Sequence, residues 1–176
     1  MPPSGIGQAV TFFEKTLKKV AISPNPLWQA LHVRVIMNLT NFKIEDTFSS
    51  IEVDGSHRDL HNNFRFSSLE YNIARQELTL SWFRRDEDWV ASDDPSQLKI
   101  VFSSVSLFKA KERDADCPYT EDDCLSSIGF IGNDMLQEIE GFAYCNPTLE
   151  ANHLNLSFES GFAVKISANK ATCIQA

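Results

Sequence analysis

The chain has 176 residues, 43% of them hydrophobic, and its 24 acidic and 16 basic residues give a formal net charge of −8. This length and composition argue against disorder and fit one domain with a sizeable core, so we expect a single domain over residues 1–176. The negative charge disfavours nucleic acid and anionic lipid as partners, and no apolar run approaches the roughly 20 residues that span a bilayer.

The cysteines bear on the compartment. Cys117, Cys124, Cys145 and Cys173 form no C-x-x-C pair, and a chain of this size folds without disulfides. The first residues lack the basic region, long apolar core and small-residue cleavage site of a secretory signal. We therefore expect free thiols and a cytoplasmic location, with a Cys117–Cys124 disulfide left open as the one local pairing.

The first predicted element is a helix. Its apolar side chains recur at intervals of three and four residues, at Ile6, Val10, Phe13, Leu17 and Val20. This spacing predicts an amphipathic helix within residues 1–23, and Pro24 lies just beyond its end. From residue 31 onward the apolar residues alternate with period two, which predicts β-strands.

A phrase with two adjacent serines recurs in the β-rich part of the chain. It occupies residues 48–53, 66–71, 102–107 and 125–130, and in each copy the apolar positions switch parity around the serines. Because a regular strand keeps one parity on each face, every copy predicts a β-bulge or a bend. The copies are unevenly spaced, which disfavours a solenoid or a propeller.

Turn residues divide the same region into short strands. Asp54-Gly55 and Ser160-Gly161 predict tight turns, and a polar connection at residues 72–76 joins two runs of alternating apolar side chains. Together these patterns predict a mainly β (α+β) protein. Its body, residues 31–176, is expected to be an antiparallel sandwich or a strongly curved, barrel-like sheet, with the N-terminal helix packed on it.

Nearly all of the excess negative charge lies between residues 86 and 123, where eleven acidic residues accompany four basic ones. They fall in two predicted loops, at residues 86–94 and 112–123. An aromatic side chain encircled by carboxylates is suited to capturing a basic protein surface, and Trp89 has this setting. The predicted binding residues are Asp86, Glu87, Asp88, Trp89, Asp93, Asp94, Asp114, Asp116, Glu121, Asp122 and Asp123.

Two alternatives follow from other residues. His57, Asp59 and His61 would share one face of an extended chain, where two imidazoles and a carboxylate suit a metal-dependent hydrolase. No second His or Cys cluster in the sequence completes a ligand set, so the segment is more typical of a solvated loop, and we expect no cofactor. The other alternative is a β-barrel for a small ligand or lipid, with phenylalanines lining its cavity.

The lone β-rich domain resembles the small acidic immunity proteins that bacteria make against polymorphic or contact-dependent inhibition toxins. The resemblance lies in the segment 77–84 (ELTLSWFR), the acidic loops after it and the closing hairpin 153–166 (HLNLSFESGFAVKI), and it covers the chain from about Leu31 onward. It implies a non-enzymatic protein that binds a basic toxin domain, such as a nuclease, and masks its active site. Such families differ widely in fold, so the resemblance assigns no individual binding residue.

Overall fold

The structure, a computed structural model, describes residues 36–131 and 153–176. All of these residues belong to one unit of the chain, Arg34–Ala176. The predicted helix within residues 1–23 and the start of the predicted body at residues 31–35 lie outside the described residues. The helix, and the single domain over residues 1–176, therefore stay predictions.

Ten strands make up the described part of the chain. In chain order they are β1 (Asn38–Leu39), β2 (Phe42–Ile44), β3 (Ser50–Val53), β4 (Ser56–Asp59), β5 (Phe64–Asn72), β6 (Glu77–Arg84), β7 (Gln97–Lys111), β8 (Leu125–Phe130), β9 (His153–Phe158) and β10 (Ala163–Gln175). A short 3-10 helix, Tyr119–Asp122, precedes β8. The described ranges contain no helix with the length and apolar character that crossing a membrane requires.

The larger sheet is curled into a half-barrel. Its strands follow the antiparallel order β5-β6-β7-β10-β9-β8, and β1 adds to β10 in parallel register. The amide of Phe66 in β5 donates to the carbonyl of Asp123, just before β8, at 2.8 Å. The Phe66 ring centre also lies 4.6 Å from that of Phe158 in β9. The two ends of the strand path therefore approach each other, as the prediction of a strongly curved antiparallel sheet requires.

The smaller sheet is an antiparallel meander with the order β2-β3-β4. Its second turn contains Asp54 and Gly55, whose φ angles of 50° and 83° are both positive, as a two-residue type I′ turn requires. The predicted Asp-Gly turn is thus confirmed. Ile51 and Val53 of β3 are fully buried and share one core cluster with Trp82 of the larger sheet.

The serine phrases do bend the chain. The strand register shifts between Phe66 and Ser68 in the second copy and between Leu125 and Ser127 in the fourth. In the first and third copies the backbone turns left-handed instead, with φ of 64° at Phe48 and 55° at Ser104. The prediction of a bulge or bend at every copy is confirmed, and the second copy lies where β5 meets the segment before β8.

The closing hairpin has the predicted register, since Leu154 pairs with Ile166 and Leu156 with Val164. Two phenylalanines of the larger sheet lie in the core: Phe64 and Phe102 are fully buried and belong to one cluster with other apolar strand residues. Their side chains fill the inner face of the curled sheet. The expectation of a cavity lined by phenylalanine, as in a ligand-binding barrel, is not met at these two positions.

Candidate partner-binding loops

The first acidic loop, residues 85–96, connects β6 to β7. Its outward side chains are Asp86, Glu87, Asp88, Trp89 and Asp93, all of them exposed. The Trp89 side chain is 70% exposed. Burying so large an aromatic surface is favourable, so an exposed tryptophan among carboxylates marks a surface suited to a partner.

Asp94 anchors this loop from inside the protein. Its carboxylate accepts hydrogen bonds from Arg58 Nη1 at 3.1 Å and from Asn63 Nδ2 at 2.9 Å, and the residue is only 6% exposed. Arg84 Nη1 in turn donates to the carbonyls of Ser92 and Asp94, at 3.1 and 2.8 Å. Asp94 was expected among the binding residues, and this placement corrects that expectation: its charge is buried in a structural ion pair.

The second acidic loop, residues 112–124, connects β7 to β8 and is organised by Arg113. Its Nε donates to both carboxylate oxygens of Asp122, at 2.9 and 3.1 Å, and its Nη2 donates to the Cys117 carbonyl at 2.5 Å. The Arg113 guanidinium lies 4.3 Å from the ring centre of Tyr119, which is 80% exposed. The hydrogen bond from Arg113 lowers the pKa of Asp122, which favours the ionised form of this carboxylate.

An ion pair joins the two loops. Arg85, the first residue of the first loop, donates from Nη2 to Asp123 Oδ1 in the second loop at 3.1 Å. The Arg85 amide also donates to the carbonyl of Asn63 at 2.8 Å, next to the start of β5. The 15-residue strand β7 separates the loops in sequence. In the curled sheet, the end of the second loop therefore lies beside the beginning of the first.

A surface cleft of roughly 330 Å³ opens beside the second loop. Phe66, Ser67 and Phe162 form one side of it, and Arg113, Tyr119 and the two carboxylates of Asp122 and Asp123 line the other. Sequence reasoning did not single out Tyr119. The signal was the same one that identified Trp89, an aromatic residue within an acidic loop. No local pattern in the sequence indicates that Phe66 and Phe162 lie next to it.

The remaining acidic residues of the second loop differ in exposure. Asp114 and Asp116 are exposed, whereas Glu121, Asp122 and Asp123 are half-buried. The Asp114 Oδ1 accepts a hydrogen bond from the Asp116 amide at 3.1 Å, which fixes the turn between them. The loop therefore presents its free charge at residues 114–116 and uses residues 122–123 in ion pairs.

The three candidate metal ligands each bind a different protein group. His57 Nδ1 lies 2.5 Å from Glu45 Oε2, and Asp59 Oδ1 accepts the amide of His61 at 3.0 Å. His61 Nδ1 lies 2.7 Å from the carbonyl of Leu125. His57 and Asp59 belong to β4, so the expected loop is partly a strand. Within residues 36–131 and 153–176, no group of three His, Cys, Asp or Glu side chains is placed to hold a metal ion.

The described cysteines are free thiols, so the structure contains no Cys117–Cys124 disulfide. The Cys124 sulfur lies 3.4 Å from His61 Nδ1, but burial raises the pKa of this thiol. Burial also raises the pKa of Cys173 to about 12. A catalytic cysteine needs a lowered thiol pKa, so the Cys124–His61 contact does not have the character of a nucleophilic site.

Comparisons with known protein families, with curated proteins and with solved structures found no match to this chain. Its function is therefore inferred from the geometry of the two loops. That geometry combines two exposed aromatic side chains, a concentration of carboxylates and an ion pair that joins the loops.

Proposed function

We propose that this protein is a non-enzymatic binding protein of the cytoplasm whose two acidic loops capture a basic protein partner. The observation that carries the proposal is the 3.1 Å ion pair between Arg85 and Asp123. It connects two loops that each expose an aromatic side chain, Trp89 and Tyr119. Tryptophan and tyrosine are the residue types that most often dominate the energy of a protein interface, especially at its centre.

The exposed carboxylates of both loops would attract a basic partner. Glu87, Asp88 and Asp93 are exposed in the first loop, as are Asp114 and Asp116 in the second. A surface with one sign of charge raises the rate at which an oppositely charged protein arrives, and the effect weakens as salt screens it. Arrival by charge and retention by the aromatic side chains are separate steps, so they are testable separately.

The buried anchor makes the first loop suitable for binding. Asp94 is held by Arg58 and Asn63, and the backbone beside it is held by Arg84. A loop fixed before binding loses less conformational entropy when the partner arrives. The exposed residues 86–93 are therefore presented on a frame that the protein itself stabilises.

The partner class we propose is a toxin domain that acts on nucleic acid, in keeping with the resemblance to small acidic immunity proteins. A nuclease binds the phosphate backbone with a basic surface. Carboxylates arranged on two neighbouring loops complement such a surface and exclude the substrate from it. The protein needs no catalytic group of its own for this role.

The test is co-expression with a basic toxin-like domain encoded beside this gene. We expect the unaltered chain to protect the cell and to co-purify with that domain. A double charge reversal, Asp88→Lys with Asp93→Lys, should abolish protection, because it replaces two exposed carboxylates flanking Trp89 with ammonium groups.

The matched control is Asp46→Lys with Glu70→Lys. These two residues are also exposed but lie outside both loops, and the net charge changes by the same amount. We expect this control to protect like the unaltered chain. Full protection by the loop variant, or equal loss in both variants, would contradict a specific role for the acidic loops.

A further inference from the structure

We propose that the cleft beside the second acidic loop receives an arginine or lysine side chain of the basic partner. This inference rests on the proposed function and deepens it, because it assigns one pocket of the surface to one kind of side chain. The cleft volume of roughly 330 Å³ leaves ample room for a single long side chain. Three features of the cleft select a basic one.

The first feature is its aromatic wall. The rings of Phe66 and Phe162 both line the cleft, and both contact Phe158, with ring centres 4.6 and 5.2 Å apart. Phe158 is almost fully buried, so it fixes the two rings that the cleft exposes. The methylene stem of lysine or arginine packs well on such a wall while its charged end stays in contact with polar groups.

The second feature is the charge at the mouth. Asp122 and Asp123 line the cleft, and the loop that carries them, residues 112–123, contains six acidic residues and one basic residue, Arg113. Both carboxylate oxygens of Asp122 accept from Arg113, so the charge of Asp122 neutralises that of Arg113. Asp123 Oδ1 accepts from Arg85, and an ionised carboxylate has lone pairs for further donors. Arg113 and Arg85 balance these two carboxylates, and the other four acidic residues of the loop leave an excess of negative charge near the cleft, which favours a cation over an anion.

The third feature is the bulge that opens the cleft. The register of β5 shifts between Phe66 and Ser68, so Ser67 has no direct partner in β6. Ser67 is exposed, and its small side chain lies on the wall of the cleft. A bulky residue at this position would occupy the space that the proposed side chain needs. The second serine phrase thus both bends the sheet and keeps this site open.

The direct probe is a capped peptide, acetyl-Gly-Arg-Gly-amide, titrated into the isotope-labelled full chain and followed by NMR. We expect saturable shifts of the Ser67, Tyr119 and Phe162 amides and of the Arg113 Nε–H. The same peptide with citrulline in place of arginine has nearly the same shape without the charge, and it should produce no saturable shifts. Equal binding of the citrulline peptide, absence of saturation, or shifts confined to the first loop would overturn the inference.

A matched pair of variants tests the location. Ser67→Trp should fill the cleft and weaken binding of the arginine peptide by at least about tenfold. Ser126→Trp places the same residue at the exposed bulge of the fourth serine phrase, outside the cleft, and should leave binding unchanged within about twofold. Circular dichroism of both variants shows whether each is folded, and peptide binding by folded Ser67→Trp at the unaltered strength would contradict the assignment.

This experiment and the test of the proposed function fail separately. If the first-loop charge reversal abolishes protection while the arginine peptide never binds the cleft, the proposed function stands and the cleft assignment falls. If the peptide binds the cleft while protection survives the charge reversal, the cleft binds basic side chains but the acidic-loop function is wrong.

Discussion

The two acidic loops have similar compositions, but the ion pairs that hold them differ in burial. The first loop is anchored by Asp94, whose side chain is 4% exposed and pairs with an Arg58 side chain that is 13% exposed. The second loop is held by Arg113 and Asp122, whose side chains are 22% and 37% exposed. Removing one partner of a buried ion pair strongly destabilises a protein, whereas a pair that is more accessible to solvent contributes less.

This difference shows that a carboxylate in an acidic run either is exposed for binding or is buried to stabilise the fold. Position in the sequence alone does not distinguish these two roles. Asp93 and Asp94 are adjacent, yet Asp93 is exposed and Asp94 is buried. Both lie in one backbone turn, residues 91–94, in which the Asp94 amide donates to the Ala91 carbonyl at 3.1 Å. Binding and stability are therefore divided between consecutive residues of one loop.

The largest expected effect is on the anchor of the first loop. Asp94→Ala should lower the free energy of unfolding by about 3 kcal/mol or more, because it leaves the Arg58 guanidinium without its buried counter-charge. Asp94→Asn should cost less, since an amide oxygen still accepts a hydrogen bond. Urea unfolding of the full chain measures both values.

Asp93→Ala is the matched control for this prediction. Its side chain is exposed, so we expect a change within about 0.5 kcal/mol. A loss at Asp93 as large as that at Asp94 would show that the two loop residues do not have separate roles.

The stability of the second loop should depend on pH through Asp122. Because Arg113 lowers the pKa of Asp122 in the folded chain, ionised Asp122 stabilises the fold above its unfolded pKa. That contribution is lost as the pH falls through the lowered folded value. Arg113→Gln should remove it, with a smaller loss of stability at about pH 7 than Asp94→Ala causes.

The pH dependence itself is the measurement. The stability difference between the unaltered chain and Arg113→Gln should shrink as the pH is lowered from about 7 into the acid range, because a growing fraction of Asp122 is protonated in both proteins. A difference that stays constant over this range would mean that Arg113 stabilises the loop by packing on Tyr119 and not by its pairing with Asp122.

The smallest expected effect concerns the thiols. Cys173 is buried in β10 and its pKa is about 12, so iodoacetamide should not modify it in the folded chain. Cys117 is half-buried in the second loop and should react slowly. Arg113→Gln should raise the Cys117 rate without exposing Cys173, as peptide mass mapping would show. Equal acceleration at both cysteines would indicate global unfolding instead of local loosening.

The sequence predicted the strands well because their apolar residues alternate. The closing hairpin, the Asp54-Gly55 turn and the bends at the serine phrases all follow from local patterns, and the structure contains each of them. The curl of the sheet was predictable as a class. The strand order was not, because the placement of β10 between β7 and β9 depends on contacts between distant residues.

The site was less predictable than the fold. Composition identified the acidic loops and Trp89, which depend only on residue type. It did not identify the burial of Asp94, because the partner Arg58 lies 36 residues earlier in the chain. Nor did it reveal the cleft, whose aromatic wall combines Phe66 of β5 with Phe162 of the last hairpin. Such contacts arise only when the sheet curls.

The central claim is that the exposed acids around Trp89 capture a basic protein, and the most direct measurement is the rate of association with the candidate toxin domain as salt is varied. For the unaltered chain we expect a rate that falls steeply with ionic strength. The Asp88→Lys, Asp93→Lys variant should associate at least about tenfold more slowly at low salt, and the Asp46→Lys, Glu70→Lys control much less so. Equal rates for the two double variants, with no dependence on salt, would contradict the claim.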